Sequence, residues 1–381
     1  MDCKFLKHGL AISYDGIVKP CCEWIHDNAY AATNHYSQVD LGRWHQILPV
    51  TQAVDSLAQG HWPSSCGNCA RIEKQNRQDS ARGGAASAYA AYADHDITLE
   101  IRPGNVCNFA CQTCWPEAST RVAQFHHQAK LVDINSLNTQ SIDNFDFLLP
   151  IKHRIKDVIL LGGEPFYDKN CLKFLAWAGH NLTANITMFT NGSHVDWAWV
   201  DNYPGKITMV FSIDAVGRPA EYIRFGTVWP DVHANFVRAQ QHAKIQLRVN
   251  ITASVYNYNY IHDIIDLLLP NWPTVVTFGT PRPKYLLESA VPTAHRSSAI
   301  DKLTQSVEKI QNACIESGQK ANAINALNSI VHNLQTQAWD SVEYHRLCDF
   351  IARMGQVKKI SVADYCEDLH QMLIKQPVEI F

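Results

Sequence analysis

From residue 97 to about residue 283 the chain alternates short apolar runs with amphipathic stretches, and no other feature limits its fold so tightly. The runs at 97–101, 157–161, 185–189, 206–213, 246–254 and 274–278 are rich in Val, Ile, Leu, Thr and Phe. Such residues fit a pleated, half-buried surface. Amphipathic stretches near 117–129, 168–180, 194–202, 231–244 and 257–269 separate them. Strand–helix alternation implies a parallel sheet with helices packed outside it. Six such units predict an α/β fold, a partial (β/α)6 barrel of the TIM type. In parallel barrels the chemistry sits on loops at the C-terminal strand ends.

Two further segments flank this region. Residues 1–85 hold five cysteines and several turn signals, and predict a small Cys-rich domain. Residues 82–93, RGGAASAYAAYA, read as a linker or a helix leading into the barrel of 86–290. Residues 291–381 predict a helical extension, with apolar residues at helical spacing over 299–316 and 322–336. A net charge of −3 gives no basic excess for nucleic-acid binding. No run is long enough to span a bilayer, and the N-terminus MDCKFLKHGL lacks the apolar stretch of a signal peptide. The expected location is the cytoplasm.

Twelve cysteines in such a chain point to metal binding rather than to a disulfide framework. Cys107, Cys111 and Cys114 form C-x3-C-x2-C in CNFACQTC, just after the first barrel strand. Three thiolates on a short loop suit three irons of a 4Fe-4S cluster and leave the fourth iron open to a small chelating ligand. GGEP, Gly162–Gly163–Glu164–Pro165, follows the second strand; its glycines let backbone approach a ligand closely. A second group comprises Cys3, the Cys21–Cys22 pair, Cys66 and Cys69. Tyr14–Asp15–Gly16 predicts a hairpin turn that brings Cys3 near the pair. Adjacent residues in a strand face opposite ways, so either Cys21 or Cys22 joins the other three. Four thiolates enclose a whole cluster or a zinc ion. Cys171, Cys314, Cys348 and Cys366 are isolated and read as small buried hydrophobes.

The order of C-x3-C-x2-C and GGEP, with Trp115 after the third cysteine, resembles the radical S-adenosylmethionine (radical SAM) enzymes. The resemblance implies that Cys107, Cys111 and Cys114 hold a 4Fe-4S cluster whose open iron binds S-adenosylmethionine. It implies that GGEP meets the SAM amino group. The later strand ends FTNGS, FSIDAVG and VNITASV also match, and Ala215 stands where the family commonly has glycine. Thr190, Asn191, Ser212, Asp214 and Asn250 are the implied contacts to the rest of SAM. Residues 1–85 resemble the twitch domain, a short relative of SPASM, through the hairpin with P-C-C, the C-x2-C, Glu73 and Ser80-x-Arg82. The implied ligands of a second, auxiliary 4Fe-4S cluster are Cys3, Cys21, Cys66 and Cys69, with Cys22 the alternative to Cys21.

The expected chemistry is reductive cleavage of SAM to a 5′-deoxyadenosyl radical, then hydrogen abstraction from a peptide or small molecule. A fully cysteine-ligated auxiliary cluster suits electron acceptance, hence oxidation or bond formation. The electron donor would be a flavodoxin or ferredoxin. Epimerisation would need a hydrogen donor, for which Cys171 is the candidate. RNA modification and a zinc-binding scaffold without catalysis are the competing readings. Arg218, Arg224, Arg282 and Lys284 read as exposed cations able to meet a carboxylate or phosphate.

Overall fold

The computed structural model describes residues 1–74, 82, 89–133 and 140–374. Ser80 of the twitch-like pattern, residues 83–88 of the expected linker and residues 375–381 lie outside the described residues. The strands are β1 (Gly9–Ile12), β2 (Val18–Lys19), β3 (Ile97–Ile101), β4 (Ile155–Leu160), β5 (Asn185–Thr190), β6 (Ile207–Ser212), β7 (Ile245–Thr252) and β8 (Val275–Gly279). The helices up to the middle of the chain are α1 (Phe5–His8), α2 (Asn28–Thr33), α3 (Leu48–Ala58), α4 (Gly67–Lys74), α5 (Thr120–Gln128), α6 (Lys169–Asn181) and α7 (Trp197–Asn202). Those that follow are α8 (Arg218–Ile223), α9 (Trp229–Gln241), α10 (Ile261–Leu268), α11 (Ser297–Asn312), α12 (Ser317–Thr336), α13 (Ser341–Lys358) and α14 (Glu367–Ile374).

The chain forms two compact units. The first comprises Met1–Asn105, Thr139–Met188 and Asp196–Ile207. Its strands run in the order β2-β1-β3-β4-β5. β1, β3, β4 and β5 are parallel, with Leu10 opposite Leu99 and Leu99 opposite Val158. Ile97, Leu99 and Ile101 are fully buried and Thr98 is nearly so, as expected of a parallel strand covered on both faces. The hairpin of β1 and β2 turns at Gly16 and is antiparallel. Its first strand also pairs in parallel with β3, so the N-terminal hairpin and β3 to β5 share one sheet. The reason is physical: an isolated two-stranded hairpin is marginal in water, and all four residues of β1 are buried.

The second unit comprises Val106–Asn138, Phe189–Val195 and Thr208–Phe381. Here β7 and β8 are parallel, with Val249 opposite Val276. The stretch expected to be helical holds α11 to α14. Leu303, Ile310, Leu327, Leu334, Leu347 and Phe350 form its buried face, and α12 packs on β8. Among the described residues, no helix is long and apolar enough to cross a membrane.

Candidate metal centres

In the second unit the loop carrying Cys107, Cys111 and Cys114 is held by its neighbours on two sides. On one side it runs alongside the chain that leaves α8. Ala110 donates its N–H to the Phe225 carbonyl over 2.8 Å, and Gln112 donates to Ile223 over 2.7 Å. Gly226, at φ 109°, permits this approach, because a Cβ there would meet the Asn108 carbonyl oxygen at 3.0 Å. On the other side stands the loop after β5. Asn191 Nδ2 donates to Asn108 Oδ1 over 2.9 Å and lies 3.9 Å from the Cys107 sulfur. Asn108 Nδ2 in turn donates to Ser193 Oγ over 2.9 Å.

The three cysteines are half-buried. Burial pushes the Cys114 thiol up to about 12 and raises Cys111 as well, with Arg224 opposing the rise at Cys111. Metal ligation requires thiolates, so a metal bound here would release protons. Phe109, only 1% exposed, walls the loop from water. Trp115 lies under the Arg282 guanidinium, 4.3 Å from the ring centroid.

Arg224 is not the exposed cation that the sequence suggests. It lies inside the unit and donates from Nη1 to Asp214 Oδ2 over 2.7 Å. Burial works against its charge, but the Cys111 thiol and Asp214 outweigh burial and raise its pKa. Asp214 is fully buried, and its other oxygen accepts the Thr252 N–H over 2.7 Å. Its backbone carbonyl accepts from Asn257 Nδ2 over 2.9 Å. Asp214 thus ties the ends of β6 and β7 to the loop at 254–260. Asn250, in β7, accepts from Thr277 Oγ1 over 2.9 Å. Thr190 is buried, and its Oγ1 accepts the Gly192 N–H over 3.0 Å. Ser212 is half-buried at the end of β6.

One further cation touches the cysteine loop and was not foreseen. Lys358, in the last turn of α13, donates from Nζ to the Ala110 carbonyl over 2.8 Å and to Gln112 Oε1 over 3.1 Å. Burial pushes its ammonium down to about 7, and the Cys111 thiol pulls the other way.

In the first unit GGEP makes the turn after β4. Gly162 adopts φ 155°, and a Cβ there would meet the Gly104 carbonyl oxygen at 3.0 Å and the Cys171 sulfur at 3.1 Å. Gly163 is partly exposed, whereas Glu164 and Pro165 are buried. The Glu164 carboxylate accepts the Phe166 N–H over 3.4 Å, and its carbonyl accepts the Asp168 N–H over 2.8 Å. Asp168 caps α6 by accepting from Asn170 N over 2.8 Å. Cys171 is 0% exposed behind this turn, and burial, ahead of Asp168 and Glu164, holds it as a thiol. Of the other isolated cysteines, Cys366 is buried, Cys348 is half-buried and Cys314 is exposed. Cys314 lies beyond α11, which ends at Asn312 and not at 316 as its spacing suggested, so it is not on the helix's buried face.

The first unit also places Cys3, Cys21, Cys66 and Cys69 around one cavity. Cys3 precedes α1, Cys21 follows β2, Cys66 ends a short turn at Ser64–Cys66, and Cys69 lies in the first turn of α4. Cys22 does not line the cavity; it is exposed and stands near Glu100 and Arg102. Phe5, Leu6, Leu57 and Trp62 form the apolar wall. Burial raises the Cys3 thiol, and burial with the neighbouring Cys3 lifts Cys66 to about 11. The Arg82 guanidinium closes the rim, bidentate to Glu73, 5.4 Å over the Trp62 ring, and donating to the Asp2 carbonyl over 3.0 Å. The void is about 20 Å³, room for one water. Among the described residues, no three His, Cys, Asp or Glu side chains converge on a single-ion site. No disulfide links any of the twelve cysteines.

No protein-family model matches the sequence, and no curated protein does. Solved structures do match. One is anSMEcpe with AdoMet and a peptide bound, at 16% identity over 56% of this chain and 61% of that one, TM-score 0.39. Another is SuiB of Streptococcus suis, at 15% identity over 71% of this chain and 61% of that one, TM-score 0.37. A third is TYW1 with a lysine–pyruvate adduct bound, at 12% identity over 70% of this chain and 89% of that one, TM-score 0.36. The chain thus spans 61% of the length of the first two.

Proposed function

We propose that this chain is a radical SAM enzyme. The observation that carries the reading is C-x3-C-x2-C on one loop directly after β3, with a buried cation, Lys358, that no carboxylate pairs with among the described residues. Three thiols and an adjoining lysine ammonium suit a negatively charged iron–sulfur group with one open iron. When bound, that group supplies the electron that cleaves SAM to a 5′-deoxyadenosyl radical, which takes a hydrogen atom from substrate.

The chain's own residues do the rest. Cys107, Cys111 and Cys114 hold the cluster, and Asn108, Asn191 and the 223–226 segment fix the loop that carries them. Phe109 and Trp115 keep water from it. Gly162–Pro165 offers backbone to the SAM amino group. Thr190, Asn191, Ser212 and Asn250 face the remainder of the ligand in this reading, and Asp214 acts through the framework it ties together. The six strands β3 to β8 are read as a partial (β/α)6 barrel.

Cys3, Cys21, Cys66 and Cys69 hold an auxiliary 4Fe-4S cluster in a twitch-like fold. Four thiolates would leave no open iron, so a cluster held by these residues would supply electron transfer rather than a substrate site. The net reaction is then oxidation or bond formation on a peptide or small molecule, with flavodoxin or ferredoxin as electron donor.

The test is anaerobic reduction with dithionite in the presence of SAM. The parent protein is expected to release 5′-deoxyadenosine, and a Cys111→Ala variant to release none. Absence of 5′-deoxyadenosine from a parent protein that carries iron and sulfide overturns the reading.

A further inference from the structure

Lys358 is 6% exposed and stands 248 positions from the carbonyl it binds. Two of its three N–H donors are spent on the cysteine loop, at Ala110 and Gln112. The ammonium lies 5.8 Å from the Phe125 ring centroid and 5.3 Å from that of Phe225. Phe125 belongs to α5, which follows the cysteines, and Phe225 belongs to the segment bonded to Ala110. The lysine is therefore caged by the parts of the second unit that shape the loop.

Its electrostatics are unusual. The nearby charges that act on it are the Cys111 and Cys114 thiols and Arg121, with no carboxylate among them. Arg224, also at the loop, is paired with Asp214 at 2.7 Å, and Arg121 lies 5.9 and 5.8 Å from the same Phe125 and Phe225 rings. A buried cation without a counter-charge is costly, and proteins keep few of them. Hydrogen bonds to neutral oxygens and two ring faces offset part of that cost, and a negative group on the cysteines would offset the rest.

We propose that Lys358 is a positioning residue of the three-cysteine site: it holds the loop through Ala110 and Gln112 and, when protonated, supplies positive charge that eases cluster reduction. The proposal rests on the radical SAM reading. Cluster potentials follow net charge, hydrogen bonding and solvent exposure. A cation beside the cluster favours the more negative, reduced state, so its removal makes reduction harder. α13 thereby becomes part of the redox site, whereas the sequence shows it only as part of a helical extension.

The test is a redox titration of the reconstituted full chain, followed by electron paramagnetic resonance, for the parent, Lys358→Met and Lys358→Gln. Signals are read in an auxiliary-site background, Cys66→Ala/Cys69→Ala, so that one cluster is seen. The expected result is a fall of about tenfold in the reduction equilibrium constant for each neutral variant, equal to 59 mV for one electron. A purely structural lysine would lower the melting temperature and leave the potential where it was, and that result overturns the proposal. If neither variant retains a cluster, Gln112→Glu decides, since it pairs the ammonium in place. A comparable fall supports the proposal, and an unchanged potential overturns it. If the parent takes up no iron, the radical SAM reading itself fails; if the parent cleaves SAM and only the potentials refuse to move, Lys358 alone is misassigned.

Discussion

Asn191 donates to Asn108 over 2.9 Å, joining the loop after β5 to the loop that carries Cys107. The two residues are 83 positions apart in the sequence. Their bond supports the cysteine loop. Asn191→Ala and Asn108→Ala are each expected to lower stability by about 1 kcal/mol, the net worth of one hydrogen bond. Because they share that bond, the double variant is expected to fall short of the sum by about 0.5 kcal/mol or more in urea unfolding. Full additivity would remove this bond from the account.

Gly162→Ala tests the turn after β4. Its Cβ would meet Gly104 and Cys171 at 3.0 and 3.1 Å, at a backbone angle that side chains rarely adopt. A loss of about 2 kcal/mol is expected in thermal unfolding. Adding Cys171→Ala removes one of the two contacts and is expected to recover only part of it.

The Asp214–Arg224 pair is buried and bonded at 2.7 Å. Breaking such a pair leaves one charge uncompensated, so Asp214→Asn and Arg224→Met are each expected to cost about 3 to 5 kcal/mol. The double variant is expected to be less damaging than the sum of the two, as read from urea midpoints.

The strands were legible in the sequence because each is a short run of β-branched and apolar residues with helical pattern on either side. Runs at 97–101 and 185–189 became β3 and β5 nearly to the residue. The hairpin at Asp15–Gly16 was legible as well, since Gly16 takes φ 77° there. What the pattern hid was the second partner of β1: GLAI is too short to reveal that both of its edges are paired. Arg224 and Lys358 were hidden for another reason. Nothing local to RFG or VKK says that the side chain turns inward, and the residues that receive them lie 10 and 248 positions away. Strand alternation likewise permits either Cys21 or Cys22 to face the other cysteines, and only the fold shows that Cys21 lines their cavity and Cys22 does not.

Acid should weaken the second unit through His126. Burial, aided by Lys358, pushes its pKa from 6.5 down to about 4. The unfolded chain therefore binds more protons than the folded one between those values, and stability falls as pH drops through that window. The limit is about 3 kcal/mol. His126→Phe, measured beside the parent by thermal melts from pH 7 to pH 4, is expected to show a shallower decline over that range. An equal slope in both would mean that the ring is not held neutral.

The account rests on iron at Cys107, Cys111 and Cys114, and metal content tests it most directly. The protein is purified anaerobically, and iron and sulfide are counted for the parent and for the Cys107→Ala/Cys111→Ala/Cys114→Ala variant. About eight irons in the parent and about four in the variant are expected, one cluster per cysteine group. About four and none, with zinc in both, would keep the radical SAM site and make the N-terminal site structural. No iron in the parent after reconstitution would contradict the central claim.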